Sequence, residues 1–185
     1  MAISNLVKVC GKNTSGNSKV FYSEVGNITS ITITGGEVAA VTMSSTNKFH
    51  EFDADLNTIN FIGTGTGKTS YSKTQALKIG ISKKTTATIA AVKSLADAVP
   101  CGVVAIRLDN NGQAFLSGWS DNLSNGTPYN QIDDVYDSGT TRADESPAQS
   151  YEVTLTGTTD GDEIPMDATV NATIIAETAA FITFN

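Results

Sequence analysis

The sequence predicts a mainly β fold, a sandwich or barrel with one flanking α-helix and a long protruding loop, and three observations predict it. Apolar and polar residues alternate with strand periodicity along much of the chain, most cleanly in "ITITGGEVAAVTM". The composition favours strands and turns, with 16 glycines, 39% apolar and 17% charged residues, and abundant threonine. Only "TTATIAAVKSLADAVP" carries an apolar stripe at helical spacing. At 185 residues the chain has the length of a single domain, residues 1–185, with material for a real apolar core.

Taken in order, Lys19 to Met43 alternates, with Ile31 and Ile33 on one face, Thr32 and Thr34 on the other, and Gly35-Gly36 as a two-residue turn. Residues 44–70 hold only short alternating pieces around Phe49, Phe52, Ile59 and Phe61, and are expected to form a long protruding loop or hairpin. A half-buried strand follows in "YSKTQALKIGI", with Tyr71, Leu77, Ile79 and Ile81 sharing a face. In the helix, Ile89, Val92, Leu95 and Val99 form the buried stripe, Thr85 or Thr86 caps the start, and Pro100 stops it. "CGVVAIRL" reads as a central strand, turned back at Asn111-Gly112 into "QAFLSGW". Residues 120–150 lack a sustained period and read as a second long loop. "YEVTLTG" and a segment within "ATVNATIIAETAAFITF" supply the last strands.

"FIGTGTGKTSYS" ends in the Gly-Lys-Thr of a phosphate-binding loop, but the motif requires its first glycine where Ile62 stands, and a strand rather than a helix follows Lys68. It reads as a flexible turn at Gly63 to Ser70, and no nucleotide or other cofactor is expected. His50 is the sole histidine and sits among polar residues, so neither a catalytic triad nor a zinc site is supported. Cys10 and Cys101 have no C-x-x-C partner and read as small buried side chains. The acidic clusters lack the spacing of a calcium loop, and Trp119 reads as a core or interface anchor. A formal charge of −7 disfavours gripping nucleic acid. No apolar run reaches bilayer-spanning length, so no membrane partner is expected.

The stretch "YSKTQALKIGISKKTTATIAAVKSLADAVPCGVVAIRLDNNGQAFLSGWSDN", followed after an acidic loop by "YEVTLTGTTDGDEIP", resembles tail tube proteins of long-tailed bacteriophages, especially those infecting Bacteroidetes. The resemblance is one of pattern over roughly residues 20–165, with the "VVAIRLDNNGQAFLSG" hairpin its most distinctive part. It implies a sandwich or barrel with a flanking helix, six copies in a ring, and rings stacked into a tube that conducts DNA. The implied partners are further copies of the chain and other phage tail proteins, in a virion tail assembled from subunits made in the host cytoplasm.

The resemblance does not extend to "MAISNLVKVCGKNTSGN" or to the Ala-rich end "NATIIAETAAFITFN", which leaves open another virion ring component such as a tail terminator or neck protein. A monomeric glycan-binding sandwich, with Trp119 and the acidic loops as its site, is the reading from another class. On the tube reading, Phe49, Phe52, Phe61 and Tyr71 are candidates for burial against a neighbouring subunit, and exposed edge strands can pair between copies. Asp133, Asp134 and Asp137 are candidates for a lumen that repels phosphate.

Overall fold

The computed structural model describes residues 16–52, 58–66, 72–81, 85–119, 128–137, 150–159 and 161–184. In chain order these form β1 (Asn17–Glu24), β2 (Ile28–Thr34), β3 (Glu37–Met43), β4 (Phe49–Glu51), β5 (Asn60–Thr66), β6 (Ser72–Ile81) and α1 (Thr86–Ala98). Then come β7 (Val103–Asp109), β8 (Ala114–Ser117), β9 (Gln131–Asp137), β10 (Ser150–Thr159), β11 (Ile164–Pro165), α2 (Ala168–Ile175) and β12 (Ile182–Thr183). The chain is mainly β, as the alternation predicts, and its sheets are open rather than closed into a barrel. Among the described residues, no helix is long and apolar enough to cross a membrane.

A six-stranded sheet, ordered β11-β8-β7-β1-β4-β12, is apolar on both faces. Val20, Tyr22, Val103 and Ala105 point into one core, shared with Leu77 and Ile79 of β6, Val153 and Leu155 of β10, and Val92 and Leu95 of α1. Phe21, Val104 and Ile106 point the other way, into a core with Val38 of β3 and Val170 and Ile174 of α2. Burial on both faces accounts for the unbroken "VVAI" of β7, since a strand with one wet face would have to alternate. The result is a sandwich of the six-stranded sheet against a four-stranded one, with α1 in the shared core and α2 and the β2–β3 hairpin over the outer face.

Local signals hold at the hairpins. Gly35 and Gly36 have φ of 65° and 88°, the all-positive pair of a type I′ turn, and Thr34 pairs with Glu37 across it. Asn111-Gly112 also turns the chain, but within a three-residue loop. Asp109 N–H donates to the Gln113 carbonyl at 2.9 Å, and Gly112, at φ 81°, closes the turn onto the Asp109 carbonyl. The Asp109 carboxylate accepts from the N–H groups of Asn111 and Gln113, which holds the turn from inside.

α1 is capped by the Thr85 hydroxyl, which accepts from Thr88 N–H at 3.1 Å. Val92, Leu95 and Val99 are buried, whereas Ile89, one turn nearer the start, is 45% exposed, because the helix leans onto the sheet only over its C-terminal half. Leu95→Ala is expected to cost about 2 to 3 kcal/mol in urea denaturation. Lys93→Ala, which removes only an exposed pair with Asp97, is expected to cost under about 0.5 kcal/mol. Equal midpoints for the two variants would show that the buried face is assigned to the wrong side.

Four expectations are corrected. Residues 44–70 are not a protruding loop or a hairpin of their own: they contain β4, which pairs with β1, and β5, which runs antiparallel to β6. The second expected loop contains β9. Helix α1 is not the only one: within "ATVNATIIAETAAFITF" the expected strand segment is β12, Ile182–Thr183, whereas "ATVNATII" is helical, Asp167 capping it by accepting from Val170 N–H at 2.7 Å, with Val170 and Ile174, one turn apart, as its buried residues. Its β-branched content imitates a strand, but Asn171 ties it down by accepting from Ala114 N–H and donating to the Gly112 carbonyl. Finally, Cys101 is exposed rather than buried, because the 3-10 turn Val99–Cys101 uses Val99 as its inward residue. Cys10 lies outside the described residues.

Candidate functional site

The four-stranded sheet, ordered β5-β6-β10-β9, is antiparallel throughout and leaves β5 and β9 as edges with no strand beside them among the described residues. The glycine-rich segment is therefore the edge strand β5 up to Thr66, which corrects the flexible turn expected at Gly63 to Ser70 over its first four residues, because those pair with β6; 67–70 lie outside the described residues. Lys68 lies outside the described residues.

One face of this sheet is the sandwich core. Phe61, Leu77, Leu155 and Ile132 lie in one cross-strand row on it, above Gln75, which is 1% exposed. Gln75 is satisfied by accepting from Gly118 N–H at 2.9 Å and donating to the Gly161 carbonyl at 3.2 Å, so it ties the two sheets together. The opposite face is partly to fully exposed among the described residues and made of short polar side chains, with Thr64, Thr74, Thr154 and Thr156 beside Ala76 and Asp133. Its charges include Lys78 and Glu152, paired at 2.6 Å. Two large apolar side chains interrupt it, Ile62 at 52% exposure on β5 and Val135 at 58% on β9.

The aromatic residues expected to wait for a neighbour lie against the chain's own cores. Phe49 is fully buried, edge-on to Phe181 with ring centroids 6.4 Å apart, and its N–H donates to the Phe181 carbonyl at 2.9 Å. Phe52 is half-buried, edge-on to Tyr22. Phe61 lies under the Arg107 guanidinium. Tyr71 lies outside the described residues. Among the acids, Asp133 and Asp134 are both exposed, but as successive strand residues they face opposite ways, so only Asp133 lies on the polar face. Asp137 ends the same strand. His50 is exposed, and Trp119 is half-buried against the outer core, an anchor rather than a platform.

A cluster that the sequence reading missed sits where the sheets meet. Arg107 on β7 donates from Nε to Glu163 at 2.6 Å, pairs with the same carboxylate through Nη2, and donates from Nη1 to Asn17 Oδ1 at 2.6 Å. Asn17 in turn donates to the Ile59 carbonyl at 2.9 Å. The guanidinium stacks 4.4 Å over Phe115 and 5.3 Å over Phe61. Burial pushes the Glu163 carboxyl up, and the hydrogen bonds and charge of Arg107 pull it back. The lone arginine in "VVAIRL" is the available signal, because a charge in a strand buried on both faces needs a partner.

A cleft of about 360 Å³ opens between α1 and the β1–β4 pair, floored by Tyr22, Leu95 and Val103 and edged by Glu24, Lys48 and His50. Among the described residues no group of His, Cys, Asp and Glu side chains is placed to hold a metal ion. Compared with protein-family models, curated proteins and solved structures, the chain gives no match.

Proposed function

We propose that this chain is a structural subunit of a bacteriophage virion, a tail tube protein whose copies form rings, hexameric by the resemblance, that stack into a DNA-conducting tube. The observation that carries the reading is the four-stranded sheet whose edges β5 and β9 have no strand beside them among the described residues, together with its polar outer face. An exposed edge is a template for pairing with another chain. Because the sheet has an even number of alternating strands, β5 of one copy and β9 of the next run antiparallel, so a head-to-tail series continues the same pattern and can close into a ring.

Closure gives the polar face a role. Six copies of four strands at about 4.8 Å spacing give a circumference of about 115 Å, or about 37 Å across before any tilt. On this wall of short threonine side chains Asp133 is acidic and Lys78 is paired with Glu152, so a duplex meets little of the counterion-release attraction of a basic wall. No catalytic step is part of this reading.

Negative-stain images of concentrated protein are expected to show rings or tubes, with a matching high-mass species in sedimentation. A monomer at every concentration, with saturable binding to a glycan array, would reverse the assignment in favour of a binding module.

A further inference from the structure

We infer that the cleft between α1 and the β1–β4 pair is a binding site for a free α-amino acid with an apolar side chain, its ammonium held by Glu24 and its carboxylate by Lys48 and His50. Every residue this uses belongs to one subunit, so it goes beyond the ring reading and does not rest on it.

The walls follow from the strand pairing. Tyr22 pairs with His50 across β1 and β4, and Phe52 continues the pairing by donating its N–H to the Val20 carbonyl at 2.9 Å. The same antiparallel register, carried two residues the other way, sets Lys48 opposite Glu24. By strand alternation Glu24, Lys48, His50 and Phe52 share the face of Tyr22, which is the inward face of the six-stranded sheet. The facing wall is α1, through Ala91, Ser94, Leu95 and Ala98. Three of those four side chains are small, and the gap they leave, about 360 Å³, is at the lower end of the range for small-molecule sites.

The bottom of the cleft is apolar and its rim is charged. Tyr22, Leu95 and Val103 are buried beneath it, and the half-buried Phe52 ring stands edge-on to Tyr22 with centroids 5.9 Å apart. Glu24, Lys48 and His50 are exposed around the mouth. Among the described residues, no hydrogen bond or ion pair engages these three side chains. Glu51, by contrast, alternates to the other face of the sheet and pairs there with Lys19 at 3.0 Å.

A carboxylate and an ammonium on directly opposed strand positions, about 5 Å apart at Cβ, suit a ligand that carries both charges close together. An α-amino acid carries them on one carbon. With its ammonium at Glu24 and its carboxylate at Lys48 and His50, its side chain is left to turn down onto Phe52 and Leu95. A neutral sugar would leave both rim charges without a counterion, and a simple carboxylic acid would set a like charge beside Glu24. A direct Glu24–Lys48 contact competes for the same charges, but an exposed pair of this kind contributes little, so a ligand that adds apolar contact can displace it.

Titration of L-leucine or L-phenylalanine into isotope-labelled protein, followed by amide NMR, is expected to give saturable shifts centred on His50, Phe52, Ala91 and Ser94. Leucinamide, which lacks the carboxylate, and N-acetyl-leucine, which lacks the ammonium, are each expected to bind about tenfold more weakly than L-leucine, having lost one charged hydrogen-bonding contact. Glu24→Gln and Lys48→Ala should weaken L-leucine by a similar factor. Ala91→Phe, which fills the cleft and changes no charge, should abolish binding. All three positions are exposed, so the variants' unfolding midpoints are expected to match wild type. Leucinamide or N-acetyl-leucine binding as tightly as L-leucine would overturn the assignment of a ligand with both charges. Shifts that survive Ala91→Phe, or no saturable shift with either amino acid, would remove the site and leave the ring reading untouched.

Discussion

Replacing Arg107 with methionine is expected to cost about 3 to 5 kcal/mol at neutral pH, the range for breaking one side of a buried pair. The side chains of Arg107 and Glu163 are 13% and 7% exposed, so the stranded carboxylate cannot turn to water for relief. The loss also frees Asn17 Oδ1 and the ring faces of Phe61 and Phe115, which join β5 and β8 to the cluster. The cost should depend on pH, with a sign fixed by Glu163. Burial already raises its folded-state pKa above the ordinary 4.5, so its contribution to stability is present below the unfolded value and is lost as pH rises through the folded one. Without Arg107 the folded value rises further, and the loss at neutral pH grows. Urea titrations at pH 7.5 and pH 4 should therefore give a larger difference between wild type and Arg107→Met at the higher pH. An equal difference at both would show that Glu163 is not the group left stranded.

Phe49→Ala should cost about 3 to 5 kcal/mol in the isolated subunit, because the ring is fully buried and its removal leaves a cavity against Phe181. This outcome separates two roles for the residue. A ring that waits for a neighbour would leave the free subunit's unfolding midpoint unchanged and weaken only assembly. A ring in the subunit's own core lowers the midpoint before any assembly takes place. The same logic applies to residues 47–66: with β4 and β5 inside that span, its deletion is expected to unfold the subunit, and circular dichroism of the purified variant checks it. A folded, soluble deletion variant would return these residues to the role of a detachable arm.

How much was legible follows the range of the interactions. The β2–β3 turn, the α1 cap and the Asp109–Gly112 turn are set by residues within five positions of one another, and the sequence places all three, leaving only the choice of Thr85 over Thr86 and the loop length to the structure. The alternation of β6 and β10 exposed one wet and one dry face, and with it the sandwich. The three-residue β4 carries too few positions to show a period and exists because Phe49 and His50 pair with Ile182 and Thr183, far along the chain. β5 is masked by Gly63 and Gly65, whose missing side chains erase the alternation, and β9 by adjacent Asp133 and Asp134, one on each face of an edge.

By itself, then, the sequence determined the mainly β class, the hairpin turns, the capped α1 helix and the lack of phosphate-loop spacing, because each depends on backbone geometry or periodicity within a short window. Tertiary structure decided that residues 49–51, 60–66 and 131–137 are strands, that "ATVNATII" is a helix, and that Arg107 meets Glu163 across 56 residues. It also decided that β5 and β9 stand at the edges of their sheet among the described residues. A strand's edge is free or covered according to what packs beside it, and no residue's own propensity encodes its neighbour in space.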